Sequence, residues 1–181
     1  MASNRHLGRI VALQTLYELD FRVEVGEKNL DFDQVIQRNI DRYSEVVEDK
    51  EFISDLIKGV NEKVAELDAI LQPIAPDWPL SQIARIDRTI LRIGTYELHY
   101  NTKVPPKVAI NESVELAKAF GADNSSKFIN GVLGTVLKKI EAASGVIEVE
   151  DTENSKTMTD KESNLASSKK DKVSAKKAAG E

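Results

Sequence analysis

The sequence predicts an all-α helical bundle with a disordered C-terminal tail, and three observations carry that reading. Apolar residues recur at helical spacing through the first 145 residues, and no stretch shows the sustained alternation of a strand. The interruptions fall at helix breakers: Gly26, Pro73 with Pro76, Pro105 with Pro106, and Gly121. The apolar set is Leu, Ile, Val and Ala, with aromatics at only 6%, a composition suited to packing helix on helix.

Taken in order, the first helix is expected over Ser3 to Val23, and Gly26 interrupts the pattern after it. A second, polar-rich helix spans Asp31 to Glu45. A third runs from Asp49 to Leu71 and is stopped by Pro73 and Pro76. The fourth starts near Ser81 and continues to Tyr100, with Ile83, Ile86, Ile90, Ile93 and Tyr100 as its buried stripe. Pro105-Pro106 ends it and opens the fifth, whose apolar arc holds Ala109, Ile110, Val114, Leu116, Ala117 and Phe120. Asp123 or Asn124 is placed to cap the last helix, which buries Phe128, Ile129, Val132, Val136 and Ile140. Its other side carries Lys127, Gly131 and Gly134. A glycine inside a helix costs about 1 kcal/mol relative to alanine, so two beside a lysine point to a close approach by another helix or by a ligand. After Gly145 the chain loses its large apolar residues and fills with Ser, Lys, Glu and Ala. Such a segment buries too little surface to offset its ordering entropy. Two regions are therefore expected, a helical domain over 1–145 and a disordered tail over 146–181, basic from Lys169 to Lys177.

Composition excludes several classes of function. There is no cysteine, which removes disulfides, thiolate metal sites and a cysteine nucleophile. No run approaches the roughly 20 apolar residues that cross a bilayer, and no apolar segment follows Arg5 and Arg9, so a soluble cytoplasmic protein is expected. Phosphate-binding loops, H-E-x-x-H and G-x-S-x-G are all missing, and no carboxylate pair stands out, so neither an enzyme nor a bound cofactor or metal is expected. The net charge of −5 argues against indiscriminate nucleic-acid binding by the whole surface. Its distribution is uneven, however. Up to Tyr17 the chain has Arg5, His6 and Arg9 and no acid, whereas Glu18 to Glu51 is dominated by Asp and Glu.

The candidate chemistry is anion recognition. Arg5 and Arg9, at i and i+4, share one stripe of the first helix. They either meet phosphates bidentately or lie over the bundle and pair with acids of the second helix. On the fourth helix Arg85, Arg88, Arg92 and His99 form a ridge away from the apolar stripe. They repel one another unless RNA, an acidic partner or the second and third helices neutralise them. Asp87 lies on neither stripe; with Leu91 and Leu98 beside it, it reads as a protein-partner face. Lys118, Lys127 and the turn Asp123 to Ser126 complete the candidate surface.

The segments RIVALQTLYELDF, LRIGTYEL, VAINESVELAKAFG and KFINGVL resemble, in order, the NusB family of bacterial transcription antitermination factors, over Arg5 to Ile140. The resemblance implies two small helical bundles packed together. It implies binding of single-stranded boxA RNA jointly with NusE, a small-subunit ribosomal protein, and action within an RNA polymerase antitermination complex, chiefly in ribosomal RNA operons. Arg5 and Arg9 match the arginine-rich start of the family's first helix, while His6 and Leu7 stand where relatives often carry further arginines. Gln14 and Tyr17 match the family pattern and either line the RNA surface or hold the first helix in place. Asp87 and Leu91 fall in the region that would contact NusE. Apart from the resemblance, the residues themselves offer Arg88 and Arg92 of the ridge, with Lys118 and Lys127, as the RNA candidates. Alternatives are a homodimer that hides the RNA surface, a ribosome-assembly scaffold, and, less well matched, the RNA-binding appendage of a methyltransferase. The family does not generally require the tail.

Overall fold

Two aspartates open the second and third helices of the chain. Asp31 accepts the Gln34 N–H at 3.0 Å and Asp49 accepts that of Phe52 at 3.0 Å, each satisfying an otherwise orphaned backbone donor for about 1 kcal/mol. A computed structural model describes residues 4–75 and 79–145. Among these the helices are α1 (Asn4–Glu24), α2 (Phe32–Arg42), α3 (Lys50–Glu62), α4 (Val64–Leu71), α5 (Arg85–Tyr100), α6 (Pro106–Phe120) and α7 (Ser125–Ala143), with 3₁₀ turns at Gln72–Ile74 and Leu80–Gln82 and no strand. The expectation of a disordered tail over 146–181 lies outside the described residues.

The helices group as expected. α1, α2 and α3 pack on one another; α5, α6 and α7 do the same, with α4 against α5 and α7. α1 and α3 also meet α5, and a single apolar cluster runs through both groups, from Leu13 and Leu16 through Ile53, Ile57 and Ile90 to Leu116, Ile129 and Leu133. Burying a side chain of this size stabilises the fold by roughly 1.5–3 kcal/mol.

α5 is the centre of the molecule. It touches α1, α3, α4, α6 and α7, and every residue from Thr89 to Thr95 is buried. The expectation of one buried stripe and an outward ridge fails for that reason: with five neighbours, the middle of this helix has no free side. Tyr100 and Phe120, expected in apolar arcs, lie at helix ends and are each 39% exposed.

Two boundaries and one capping bond differ from expectation. The helix predicted from Asp49 to Leu71 is two helices, because Lys63 leaves helical geometry (φ −108°, ψ 13°) and its N–H closes a tighter turn on Val60 O. α5 begins at Arg85 rather than near Ser81, residues 80–82 forming the 3₁₀ turn. Asn124 occupies the N-cap of α7 but makes no side-chain capping bond.

Gly94 allows α5 to pack closely on both α6 and α7. A Cβ there would stand 2.5 Å from Leu133 Cδ1 of α7 and 2.6 Å from Ser113 Oγ of α6. Gly131 and Gly134, where a close approach was expected, have nothing within 4 Å of an added Cβ. The Gly94→Ala variant is therefore expected to lose about 1–3 kcal/mol of unfolding free energy through overpacking. Gly131→Ala should instead gain up to about 1 kcal/mol from helix propensity. Urea titration of both variants checks the contrast; equal effects would contradict it.

Candidate nucleic-acid and partner interface

Each arginine at the start or middle of a packed helix must be either solvated or neutralised, and here most are neutralised internally. Arg9 is 2% exposed and Glu97 1%. The Arg9 guanidinium donates from Nη2 to Glu97 Oε1 at 2.7 Å and from Nε to Glu97 Oε2 at 3.0 Å. Its Nη1 lies 3.5 Å from Glu112 Oε2, and its plane lies over the Phe52 ring, 5.3 Å from the centroid. His6 Nδ1 meets the same Glu112 oxygen at 2.8 Å. The first turns of α1 are thus tied to α5 and α6. The reading of Arg9 as a phosphate-gripping surface residue is corrected: its charge is spent on a buried carboxylate, because solvating it would leave Glu97 alone in the core.

The ridge on α5 follows the same logic. Arg88 donates to Asp20 Oδ2 at 2.8 Å. Arg92, 8% exposed, donates to Asp20 Oδ1 at 3.0 Å and forms a two-pronged bond to Asp68, at 2.8 and 2.7 Å. Arg85 stands 3.2 Å from Asp20 and donates to Glu24 at 2.7 Å. The neutralising acids come from the C-terminal half of α1 and from α4. Arg88 and Arg92 are therefore corrected from RNA-facing to inward-facing; His99, in the last turn of α5, has its ring tilted against that of Tyr100. Leu91 is 1% exposed, so it presents nothing to a partner. Asp87 is half-buried; its Oδ2 accepts the Ser125 hydroxyl at 2.8 Å, and its Oδ1 is buried without a hydrogen-bond partner among the described residues.

The remaining candidates are exposed. Arg5 keeps half its side chain in solvent, 3.8 Å from Asp49 and over the Phe52 ring, at the rim of a cleft of about 360 Å³ shared with Asp55 and Tyr96. Gln14 accepts from the Tyr43 hydroxyl at 2.9 Å. Tyr17 is 39% exposed. Lys118 reaches Glu115 at 2.7 Å on its own helix, a surface pair of small value. Lys127 is exposed with no side-chain partner among the described residues.

These residues fall into two clusters. Arg5 and His6 lie at the start of α1, and Tyr17 is twelve residues further on, about 18 Å at 1.5 Å per residue. Phe21, one turn beyond Tyr17 and 47% exposed, was not singled out in the sequence. Arg85 stacks over both rings, at 5.4 Å from Tyr17 and 5.1 Å from Phe21. The only sequence signal was the spacing of two aromatics on a face that ought to be polar. Asp87, two residues after Arg85, links this aromatic end to the α6–α7 turn, which Lys118 and Lys127 flank. The arrangement can present stacking rings, a guanidinium and a few cations. No cluster of three or more metal-ligating side chains occurs, and no helix is long and apolar enough to cross a membrane, among the described residues.

The paired acids imply a pH dependence. Burial pushes the Asp20 carboxyl up, but the hydrogen bonds and charges of Arg88 and Arg92 outweigh it and hold the carboxyl below its ordinary 3.8. A depressed acid adds stability that is complete above the unfolded-chain value and disappears as pH falls through the lower folded one. Asp20→Asn should therefore lower stability at neutral pH and flatten the loss of stability below about pH 4. Thermal melts between pH 7 and 2 read this out; an unchanged acid limb would contradict it.

The sequence model of the NusB family matches residues 6–138. A transcription antitermination protein NusB from Chloroflexus aggregans is 44% identical over 141 residues, covering 77% of this chain and 90% of that protein. The solved structure of T. maritima NusB superposes with a TM-score of 0.67 at 30% identity, covering 77% of this chain and 94% of that one. The same fold, at 21% identity and a TM-score of 0.65, occurs in a crystal structure of antitermination factors NusB and NusE in complex with dsRNA, covering 77% of this chain and 99% of that one. With its fold, its helix order and most of its helical residues matched, the chain belongs to the NusB family.

Proposed function

We propose that this protein is a transcription antitermination factor, non-catalytic and cytoplasmic, that binds boxA-type single-stranded RNA together with NusE and acts with RNA polymerase, chiefly in ribosomal RNA operons. The observation that carries the reading is its 44% identity, over most of both chains, to a relative named for antitermination. With Arg9, Arg88 and Arg92 neutralised internally, these three are withdrawn from phosphates on a chain of net charge −5. A basic partner would add phosphate contacts to those the exposed cations of this chain make.

The RNA-facing residues on this reading are Arg5, His6, Gln14, Tyr17, Lys118 and Lys127, with Tyr17 offering its ring to an unpaired base. The partner would sit on the end of α1 and the start of α5, where Phe21, Arg85 and the edge of Asp87 take the place first given to Leu91. Aromatic and arginine side chains of this kind are enriched in protein interfaces.

The test is titration of a boxA-like RNA, with and without the cognate NusE, across several salt concentrations. Binding should be sequence-preferring and should tighten when NusE is present. Lys127→Ala, and separately Arg5→Ala, should each flatten the slope of log K against log salt by about 0.7, the share of one single-strand phosphate. Binding that ignores both NusE and RNA sequence would overturn the reading, and an unaltered slope would remove that residue from the phosphate surface.

A further inference from the structure

Phe52, Asp55 and Gly59 fall at i, i+3 and i+7 on α3 and so share one face of it. Tyr96 and Tyr100, at i and i+4 near the end of α5, meet that face. A Cβ at residue 59 would fall on the Tyr96 hydroxyl and ring, so glycine is what lets this ring lie across α3. The ring centroids of Tyr96 and Tyr100 are 5.5 Å apart. Tyr100 is fixed in turn: its hydroxyl donates to Glu66 Oε2 at 2.9 Å, and Lys63 Nζ lies 4.5 Å from its ring centroid. The two rings form a platform that is set before any ligand arrives, with Tyr96 half-buried and Tyr100 exposed.

The cleft over this platform, about 360 Å³, lies at the low end of the roughly 300–1,000 Å³ usual for ligand sites. Its two cations come from separate elements. Arg5, from the start of α1, has its guanidinium 5.3 Å from the Phe52 ring centroid. Lys103, from the loop after α5, is exposed with no side-chain partner among the described residues. Asp55 is likewise exposed and makes no hydrogen bond or ion pair among them. Burial pushes the Tyr96 hydroxyl above its ordinary range, and the charge of Asp55 adds to the push, which places that carboxylate beside the rings. A carboxylate accepts hydrogen bonds and donates none. It therefore suits a base with an exocyclic amino group better than uracil, which has a carbonyl there.

We propose that this cleft is a base-binding subsite for single-stranded RNA: one unpaired base stacks on the Tyr96–Tyr100 platform, Asp55 accepts from its amino group, and Arg5 and Lys103 take the flanking phosphates. The inference rests on the RNA reading above and extends it from Arg5, at the rim, to α3 and the end of α5. Asp49 and Glu51 also line the cleft, and with Asp55 they repel phosphate from its interior, so the base enters and the backbone stays at the rim. A cationic side chain of a protein partner is the competing occupant. Arg5 and Lys103 would repel it, and Asp49 is already engaged by the Phe52 N–H and, at 3.8 Å, by Arg5. A single strand answers the rings, the carboxylate and the cations together.

The test measures the affinity of the full chain, with saturating cognate NusE, for a boxA-like RNA and for the same RNA made abasic at one position at a time. In the wild type, removing the base that occupies the cleft should weaken binding about fivefold or more, the share of one stacked base. In Tyr100→Ala the intact RNA should bind correspondingly more weakly, and removing that same base should cost little further. Asp55→Asn should keep the abasic penalty but reduce the preference for an amino-bearing base over uracil at that position. RNA binding in which the abasic penalty at every position is the same in Tyr100→Ala as in the wild type overturns the subsite and leaves the RNA reading intact. So does a loss of NusE binding without RNA in either variant, which would give the cleft to a basic segment of the partner. No RNA binding by the wild type overturns both. Should Tyr100→Ala fail to fold, Asp55→Asn decides: a base preference unchanged at every position overturns the subsite.

Discussion

A helix surrounded on all sides must either be wholly apolar or bring its own neutralisation, and α5 takes the second course. Arg92 and Glu97 both lie in its buried stretch, one meeting Asp20 and Asp68, the other Arg9. An unpaired charge in such a place is strongly destabilising, while a well-packed apolar replacement of both members of a pair is often neutral or better. Charges of this sort therefore restrict geometry more than they add stability. α1 can dock on α5 in one register, with Arg9 at Glu97 and Asp20 at Arg92, because a slip of one turn would leave several charges buried alone. The first helix is antiparallel to the fifth for the same reason, and the two helical groups share one core across that contact.

This constraint also decides which residues are available for function. The basic residues that stand out in the sequence are largely those that the fold neutralises. Of those singled out, Arg5, Lys118 and Lys127 stay in solvent, with the exposed rings of Tyr17 and Phe21 and the stacked guanidinium of Arg85 also at the surface.

Much of the fold was legible. The spacing of apolar residues and the Gly and Pro breaks located six helical segments, and family motifs such as VAINESVELAKAFG identified their arrangement. The break at Lys63 was not legible, since the apolar pattern runs on through Val64 and Leu67 and nothing local requires a stop. The site was read less well, and the reason is physical. Periodicity reports one buried face, so Arg88 and Arg92, lying off the isoleucine stripe, read as exposed; only the number of helices around α5 shows that they are not. Glu97 escaped notice because a buried acid looks like any other helical glutamate until its arginine is found 88 positions away. Gly121 read as a simple helix stop, though its lack of a side chain makes room for Ser125. In the opposite direction, Gly131 and Gly134 promised a close approach that the fold does not make.

The central claim is that the Arg9–Glu97 pair serves the architecture and not RNA. The most direct measurement is a double replacement, Arg9→Met with Glu97→Leu, compared with each single change by urea unfolding and by RNA titration over salt. The account predicts that each single variant loses about 3–5 kcal/mol, that the double variant recovers most of it, and that the double variant binds RNA with the wild-type affinity and salt slope. A stable double variant with weakened RNA binding and a flatter slope would contradict it and return Arg9 to the phosphate surface.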